Sequence, residues 1–547
     1  RRTRAIPRRA SRPPPGAHVE SSGRTMAFAA ALIAVSTLLS RILGYARDAV
    51  IAARLGATGE TDAYYAAFGL PDLLLYFLAG GALSLAFLPL FQRVLAADGA
   101  DAAWRLFSNI ATTGGLVLAA ALAVAWWQAP ALVSLLVPDF DATQHELTVR
   151  LTRLMLPTPL FFFWGGLLSA TQMAQGRFRS TALAPLVYNA CIIAGGLLLE
   201  PRLGVAGFTW GVVAGAALGP LATNLVYSLG AMRLRPVVAP LDPLLRRYVW
   251  LALPLMLGVS LTTVDEWIGR WFASGMDAGS ITWLNNARRL MLVPVAFVGQ
   301  AVGVAALPFL SRLAQAGDPG GLQRHLDRAL RATATLSVVA AAGLAVIAPW
   351  AVGLVYGHGA YTAPDVARTA ALLQVLCLAA PLWCVHTVAV RAFYAREDTW
   401  RPMLTSSAAV LLALPAYVLL SARIGVHGLA AATAIGMLLQ VLLNAAAYRL
   451  VHGGDVLTGP LRGLAGGALL CLPGAGAALL LAHRLLPELM AGAATQPTLT
   501  ARLVMTLLTG ATFAVPTLLL LLRYGGDAAD PIRRRLPTPL RRLLTPP

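Results

Sequence analysis

The chain reads as an all-α polytopic membrane protein with about fourteen transmembrane helices, and three observations carry that reading. Of its 547 residues, 58% are hydrophobic and only 12% are charged, against about 25% charged in a soluble domain. Mean hydropathy is +0.69. Windows of about 20 apolar residues recur from end to end, each long enough to cross a hydrocarbon core about 30 Å thick. The alternating ten-residue strands that build membrane barrels are absent from the sequence, which leaves the helix as the spanning structure that satisfies its own backbone in lipid.

The first two windows, centred near 38 and 78, are interrupted by charge: Arg41, Arg47 and Asp48 in the first, Asp62 and Asp72 in or beside the second. The third, 112–127, is uninterrupted, and a fourth is centred near 160. The fifth and sixth, near 190 and 217, are separated only by the short connection Glu200-Pro201-Arg202. The seventh, near 258, carries Asp265, Glu266 and Arg270. The eighth, near 297, opens with Arg288-Arg289 and contains Pro294. Residues 335–355 make the ninth, and the tenth, near 380, holds His386 and Arg391. The eleventh covers 404–421, the twelfth and thirteenth are centred near 438 and 472, and the fourteenth covers 501–522.

Formal net charge is +19, and every one of the 43 basic residues is arginine. Residues 1–25 hold seven Arg and one Glu, and residues 523–547 six Arg and two Asp, so the tails carry +10 of the total. Nucleic-acid binding is one reading of basic tails. Topology determinants lying against anionic lipid are the stronger one. Arginine clusters fall in alternate connections (177–179, 233–247, 312–331, 396–401), while 54–62, 130–147, 200–204, 273–280, 356–365 and 486–498 are poorer in Arg. The positive-inside rule then predicts both termini in the cytoplasm. Residues 1–25, with Pro13-Pro14-Pro15 and no apolar run before Met26, read as a disordered basic tail upstream of a start at Met26, without the pattern of a signal peptide.

The basic linker 232–247 divides the chain into an N-lobe of six spans (26–235) and a C-lobe of six more (236–450). Two further spans (451–525) and a basic tail (526–547) follow. Two six-span repeats with an appendage is an arrangement common among transporters. Cys191, Cys377, Cys384 and Cys471 all lie in apolar segments without metal-ligand spacing, so they read as small buried side chains.

An ionised side chain at a helix centre costs about 2.5–3.5 kcal/mol on insertion scales, so such residues face a protein interior or a water-filled cavity. Arg41 and Asp48, seven apart, share one helix face, with Arg47 offset by about 120°. Two readings follow: an internal ion pair, or a cationic wall for an anionic ligand beside Gly44, which permits close approach. Thr61-Asp62 reads as an N-cap of the second span, with a functional role for Asp62 equally open. Pro71 removes a backbone hydrogen bond within that span and Gly80-Gly81 loosen it further, a device that exposes polar backbone to a cavity. Glu266 and Arg270, at i,i+4, read as an intrahelical salt bridge. Arg288 and Arg289, beside Asn285 and Asn286, suit an anion site because guanidinium forks match phosphate oxygens bidentately. Arg391 is a weaker candidate, and His386 reads as a satisfied interior histidine. No GxSxG, Walker A, HExxH or paired-carboxylate motif is present, and no connection can hold a soluble catalytic domain.

Several of these motifs resemble those of the MurJ/MviN family of lipid II flippases, in the MOP exporter superfamily. They are Ser40-Arg41-Ile42-Leu43-Gly44-Tyr45-Ala46-Arg47-Asp48, Thr61-Asp62-Ala63-Tyr64 and Leu70-Pro71-Asp72-Leu73-Leu74. Further matches follow in order: Gly176-Arg177-Phe178 with Ala184-Pro185-Leu186-Val187-Tyr188-Asn189, then Ala287-Arg288-Arg289-Leu290 with Pro294. Tyr356-Gly357-His358-Gly359-Ala360-Tyr361-Thr362 and the run from Phe393 to Pro402 complete the set, which covers about residues 27–525. The resemblance implies an alternating-access transporter, not an enzyme, with two six-helix lobes in a V around a cationic cavity and the last two helices shaping a groove for a polyprenyl tail. It implies Arg41, Arg47 and Arg289 as cavity arginines that meet the pyrophosphate of lipid II, with Arg288 beside them, and Asp62 as a family acidic position. Asp48, Asp72, Pro71 and Gly44 take supporting or gating roles. The implied setting is the bacterial inner membrane, among anionic lipids and the cell-wall synthesis machinery. No cofactor is implied beyond an energy source: an Na+ gradient, an H+ gradient or the membrane potential.

The sequence also departs from the family pattern. Leu75-Tyr76 and Gly80 stand where many members carry an Arg-Arg and a Glu, so a gating salt bridge does not transfer there. Arg288 replaces a common acid and is expected to restore cavity charge. Gly269 stands where many members have an Asp linked to sodium, which makes Asp265, one turn earlier, the candidate substitute. The rival readings are a flippase for another polyprenyl-pyrophosphate oligosaccharide, a multidrug exporter of the same superfamily, and a membrane-embedded glycosyltransferase or polymerase.

Overall fold

The computed structural model describes residues 17–78, 86–230, 232–257, 261–490 and 498–537. Gly80, Gly81, the proline run 13–15 and the last ten residues of the basic tail lie outside the described residues. Among the described residues there is no strand. The first expected span is one unbroken helix, α1 (Ala17–Leu55). The second is assembled from α2 (Gly59–Ala67), α3 (Gly69–Leu78) and α4 (Leu88–Ala97). Next come α5 (Gly99–Asn109) and α6 (Gly115–Trp127), a short α7 (Ala129–Leu136), then α8 (Ala142–Met155) and α9 (Thr158–Ala174). The first half ends with α10 (Arg179–Leu203), α11 (Ala206–Ala216) and α12 (Asn224–Ser228).

The second half opens with α13 (Pro243–Leu257) and α14 (Leu261–Ala273), followed by α15 (Ser280–Pro294) and α16 (Ala301–Gln315). It continues through α17 (Pro319–Val355), α18 (Ala363–Leu376), α19 (Ala379–Tyr394), α20 (Trp400–Ile424) and α21 (Val426–His452). Two long helices, α22 (Thr458–Met490) and α23 (Leu499–Tyr524), and a single turn, α24 (Asp530–Arg533), complete the chain. By length and composition ten stretches can cross a membrane among the described residues, or eleven when α18 and α19, bent by 43°, count as one. The remaining three expected spans coincide with α1, α2–α4 and α13–α14, which are charged, broken or only partly described.

Part of the path recurs in the two halves. Left-handed backbone occurs at Gly56, Gly99, Gly176 and Gly204 in the first, and at Gly279, Gly317, Gly359, Glu397 and Gly425 in the second. Gly176 and Gly204 are 28 residues apart, as are Glu397 and Gly425. Gly204 (φ 58°, ψ −144°) and Gly425 (φ 58°, ψ −137°) each turn one long helix directly into the next. So tight a reversal needs a positive φ, which glycine adopts without steric cost.

The halves meet where α1 ends. The Ala360 N–H donates to the Ala53 carbonyl at 2.8 Å. A Cβ on Gly359 would sit 2.1 Å from that same carbonyl oxygen, and one on Gly279 would sit 2.5 Å from the Ala57 carbonyl oxygen. Backbones this close admit no side chain between them. One apolar core runs across this end, with Tyr64 and Phe208 of the first half packed in a single cluster with Trp283, Tyr356 and Tyr361 of the second.

Candidate functional site

Away from that closed end the halves part around a cavity of about 420 Å³, lined by Ser40, Arg41, Gly44, Tyr45, Arg47 and Asp48 of α1, Tyr188 and Asn189 of α10, and Arg289, Leu292, Val295, Ala296 and Gln300 of the second half. Three arginines against one aspartate give the lining a formal charge of +2. Asp48 is 1% exposed and organises the site. Arg47 Nη2 approaches its Oδ1 at 2.8 Å, and Arg289 Nε approaches its Oδ2 at 3.1 Å. Arg47 also donates from Nη1 to Asn189 Oδ1 at 3.0 Å, while the Tyr45 hydroxyl donates to the Arg289 carbonyl at 3.1 Å. Two arginines are thereby aimed by fixed partners. Arg41 is exposed to the cavity and meets no carboxylate among the described residues. A Cβ on Gly44 would meet nothing within 4 Å, so that wall is open space.

The eighth span supplies Arg289 without breaking. Pro294 ends the regular α-helix, and Val295–Gln300 continue as a wider π-helical stretch into α16. A π-bulge absorbs the missing proline donor within a continuous span. Val295, Ala296 and Gln300 of this stretch all line the cavity.

The two adjacent arginines of α15 go different ways, because successive residues on a helix are rotated by about 100°. Arg289 reaches the cavity. Arg288 is buried and pairs at 2.6 Å with Asp265 of α14, so it does not line the cavity and does not restore charge there. Asp265 in turn accepts from Thr433 Oγ1 at 2.8 Å and from the Tyr417 hydroxyl. Its oxygens are occupied by side chains of this chain. A Cβ on Gly269 would lie 3.5 Å from Arg288 Nη2, so the guanidinium fills the space beside that glycine.

The N-cap of α2 is Thr58, not Thr61-Asp62: the Thr58 hydroxyl accepts from the Thr61 N–H. Asp62 lies one turn inside α2, buried, and caps another helix. Its carboxylate accepts from the Gly279 N–H at 2.7 Å, the Thr282 N–H at 2.8 Å and Thr282 Oγ1 at 2.6 Å. The two N–H groups are donors that the start of α15 leaves unsatisfied, at the positive end of its dipole. An acid in the first half thus clasps a helix of the second. Likewise the break in the second span falls at Phe68, before Pro71, which occupies the first turn of α3 where no backbone donor is required. Asp72 lies on α3 outside the cavity lining, within electrostatic reach of Arg270 and Glu266 of α14. Leu75 packs against the apolar core of the first half, and Tyr76 meets Trp267 edge-on at 6.0 Å. His386 Nδ1 is hydrogen-bonded to Asn444 at 3.0 Å, and the Arg391 guanidinium lies over the Tyr394 ring. Asn189, Tyr45 and Gln300 join the site although the charge pattern gave them no role: α10 packs on α1 and brings Asn189, Tyr45 bonds the Arg289 carbonyl, and Gln300 lies on the π-helical stretch that lines the cavity.

The chain matches the family model described as Lipid II flippase MurJ over residues 51–492. It is 31% identical over 432 residues to a lipid II flippase MurJ of Burkholderia cenocepacia, covering 76% of this chain and 82% of that one. A probable lipid II flippase MurJ of Rhizobium tropici is 29% identical, covering 76% and 80%. Among solved structures, a lipid II flippase MurJ in an inward closed conformation superposes with a TM-score of 0.73 at 20% identity, over 90% of this chain and 98% of that one. An inward-facing multidrug resistance MATE family transporter of the MOP superfamily gives 0.63 at 13% identity, over 75% and 94%. These last two are likenesses of fold.

Proposed function

Because the chain belongs to the MurJ family of lipid II flippases, we propose that its cavity receives the pyrophosphate of lipid II and carries the head group across the bacterial inner membrane by alternating access. The observation that supports this most directly is the cavity charge of +2, set by Arg41, Arg47 and Arg289 against Asp48. A pyrophosphate diester carries two negative charges, and guanidinium groups match its oxygens in geometry. Arg47 and Arg289 are preorganised by Asp48 and Asn189, so little side-chain ordering remains to be done on binding. Arg41, which meets no carboxylate among the described residues, is the cation available for first contact. Substrates of other polyprenyl-pyrophosphate pathways and cationic drugs are not favoured by the family assignment.

In this reading the end closed by Ala53–Ala360 and Asp62–Thr282 faces the periplasm, and the cavity opens to the cytoplasm, where both termini lie. The positive-inside distribution of arginine supports that orientation. Anionic lipids then surround the basic tails, and the enzymes that make and polymerise the precursor are the natural neighbours. For driving force we favour the membrane potential over an Na+ or H+ gradient. An empty cavity of charge +2 is drawn toward a negative interior by about 2.3 kcal/mol per charge per 100 mV, which would return the unloaded carrier to its inward state. The last two helices, α22 and α23, would flank the lipid tail.

The test is depletion of the endogenous flippase in cells complemented by this chain. Arg41→Ala and Arg289→Ala should each block exposure of lipid II in the outer leaflet while the protein still accumulates in the membrane. Full complementation by both variants would overturn the proposal.

A further inference from the structure

Arg47 of α1 and Arg270 of α14 each stand on a helix that runs toward the closed end, one in each half. Their partners differ. Arg47 has Asp48 beside it, and Asp48 also reaches the second half through Arg289. Arg270 has no adjacent acid, and its only ion pair among the described residues is a long one, 3.4 Å from Nη2 to Glu266 of its own helix. Its Nη1 is buried without a hydrogen-bond partner. A buried donor left in that state loses its hydration without a replacement, so an acceptor is called for.

The acceptor is across the lobe boundary. A Cβ on Gly69 of α3 would lie 3.9 Å from Arg270 Nη1. Asp72 and Tyr76 follow Gly69 at i+3 and i+7, on the same face of α3. That face packs antiparallel on α14, since Gly69 meets Arg270 while Tyr76 meets Trp267, three residues earlier on α14. Asp72 lies between these contacts, and Arg270 is the strongest charge acting on it. No hydrogen bond or ion pair to a described residue engages the Asp72 carboxylate.

We infer that Asp72 and Arg270 form a second cross-lobe ion pair, again with the acid in the first half and the arginine in the second, as in the Asp48–Arg289 pair. Arg270 is shared between Glu266, which holds it within its own lobe, and Asp72, which holds the lobes together at the closed end. Asp72 is a gating residue by this route, with no contact to substrate. The inference rests on the alternating-access reading, but its test does not use lipid II.

The experiment measures lobe separation in the full-length protein reconstituted in liposomes, by electron–electron resonance between spin labels at the exposed positions Glu60 and Asp277. Asp72→Asn and Arg270→Gln should each lower the closed-to-open ratio roughly fivefold, and the double variant should fall no further. The exchange Asp72→Arg with Arg270→Asp should restore the closed population. Glu266→Gln should raise it, because Arg270 is then left to Asp72. Unchanged distances in the single variants, strictly additive losses in the double, or a fall with Glu266→Gln would each overturn the pair. Thermal melting of each variant separates misfolding from gating: the exchange variant must melt with the parent. Loss of lipid II exposure in Arg41→Ala bears on the flippase reading alone, so the two can fail independently.

Discussion

Asp48 holds Arg47 through one carboxylate oxygen and Arg289 through the other, at 2.8 and 3.1 Å, and so joins the two halves of the molecule at the wall of the cavity. The same carboxylate that aims the two arginines also reduces their combined charge. Removing it should act on both. Asp48→Asn should raise the affinity for a soluble pyrophosphate diester, because cavity charge rises from +2 to +3. It should also slow translocation, since the head group is released less readily. Stability should fall by about 3 kcal/mol for the buried Arg47 pair, with little added by Arg289, whose side chain is 43% exposed and screened. Calorimetric titration and thermal melting of the purified variant check the two halves of this prediction.

The Asp62 clasp predicts a graded series. Asp62→Ala removes three acceptor contacts at the start of α15, a loss of about 1–2 kcal/mol by analogy with helix caps. That should move the conformer ratio toward the open state by roughly tenfold. Asp62→Asn keeps one acceptor oxygen and should fall between the two. The spin-label distance between Glu60 and Asp277 reads the change, and a shift of equal size for both variants would point to charge alone.

Much of this was legible in the residues. Arginine in an otherwise apolar helix implied a cavity, and the spacing of Arg41 and Asp48 placed both on one wall. The basic linker implied two halves, and Gly204 and Gly425 each turn one helix directly into the next on either side of it. What escaped the sequence was partnership between distant elements. Asp62 beside Thr61 looks like a local cap, yet the Thr58 hydroxyl takes that role and frees the carboxylate for α15. Arg288 and Arg289 look alike in sequence, and only the neighbour on each side of α15 separates a structural ion pair from a cavity cation. Pro71 looks like a break, but a proline in the first turn of a helix breaks nothing.

The buried Asp265–Arg288 pair yields a prediction about ions. Asp265 is held by side chains of this chain, Arg288 on one oxygen and Tyr417 and Thr433 on the other. Replacing Na+ by choline should leave the melting temperature of the protein unchanged. Arg288→Met should cost about 3–5 kcal/mol by leaving a buried carboxylate uncompensated. Arg288→Met with Asp265→Leu should recover most of that loss, since apolar replacement of a whole buried pair is often neutral. An Na+-dependent rise in melting temperature of the unaltered protein would show that the carboxylate exchanges partners.

Arg502 of α23 fixes the terminal helices to the second half. It is 7% exposed and donates from Nη1 to the Gly353 carbonyl at 2.7 Å and to the Gly357 carbonyl. The Gly353 carbonyl, which also accepts from the Gly357 N–H, lies in the last turn of α17 and the Gly357 carbonyl just beyond it, at the negative end of the helix dipole. A Cβ on Gly357 would lie 2.4 Å from Arg502 Nη1, so the site requires glycine there if the guanidinium is to stay. Arg502→Leu and Gly357→Ala should therefore produce the same local effect by opposite routes, one removing the cation and the other displacing it. Amide hydrogen exchange should accelerate over 498–505 and 353–357 in both, with protection of α1 and α15 unchanged. The expected cost is about 1–2 kcal/mol, the range for a partly buried cation at a helix C-terminus. Loss of protection throughout the chain would instead make Arg502 a requirement for folding of the second half.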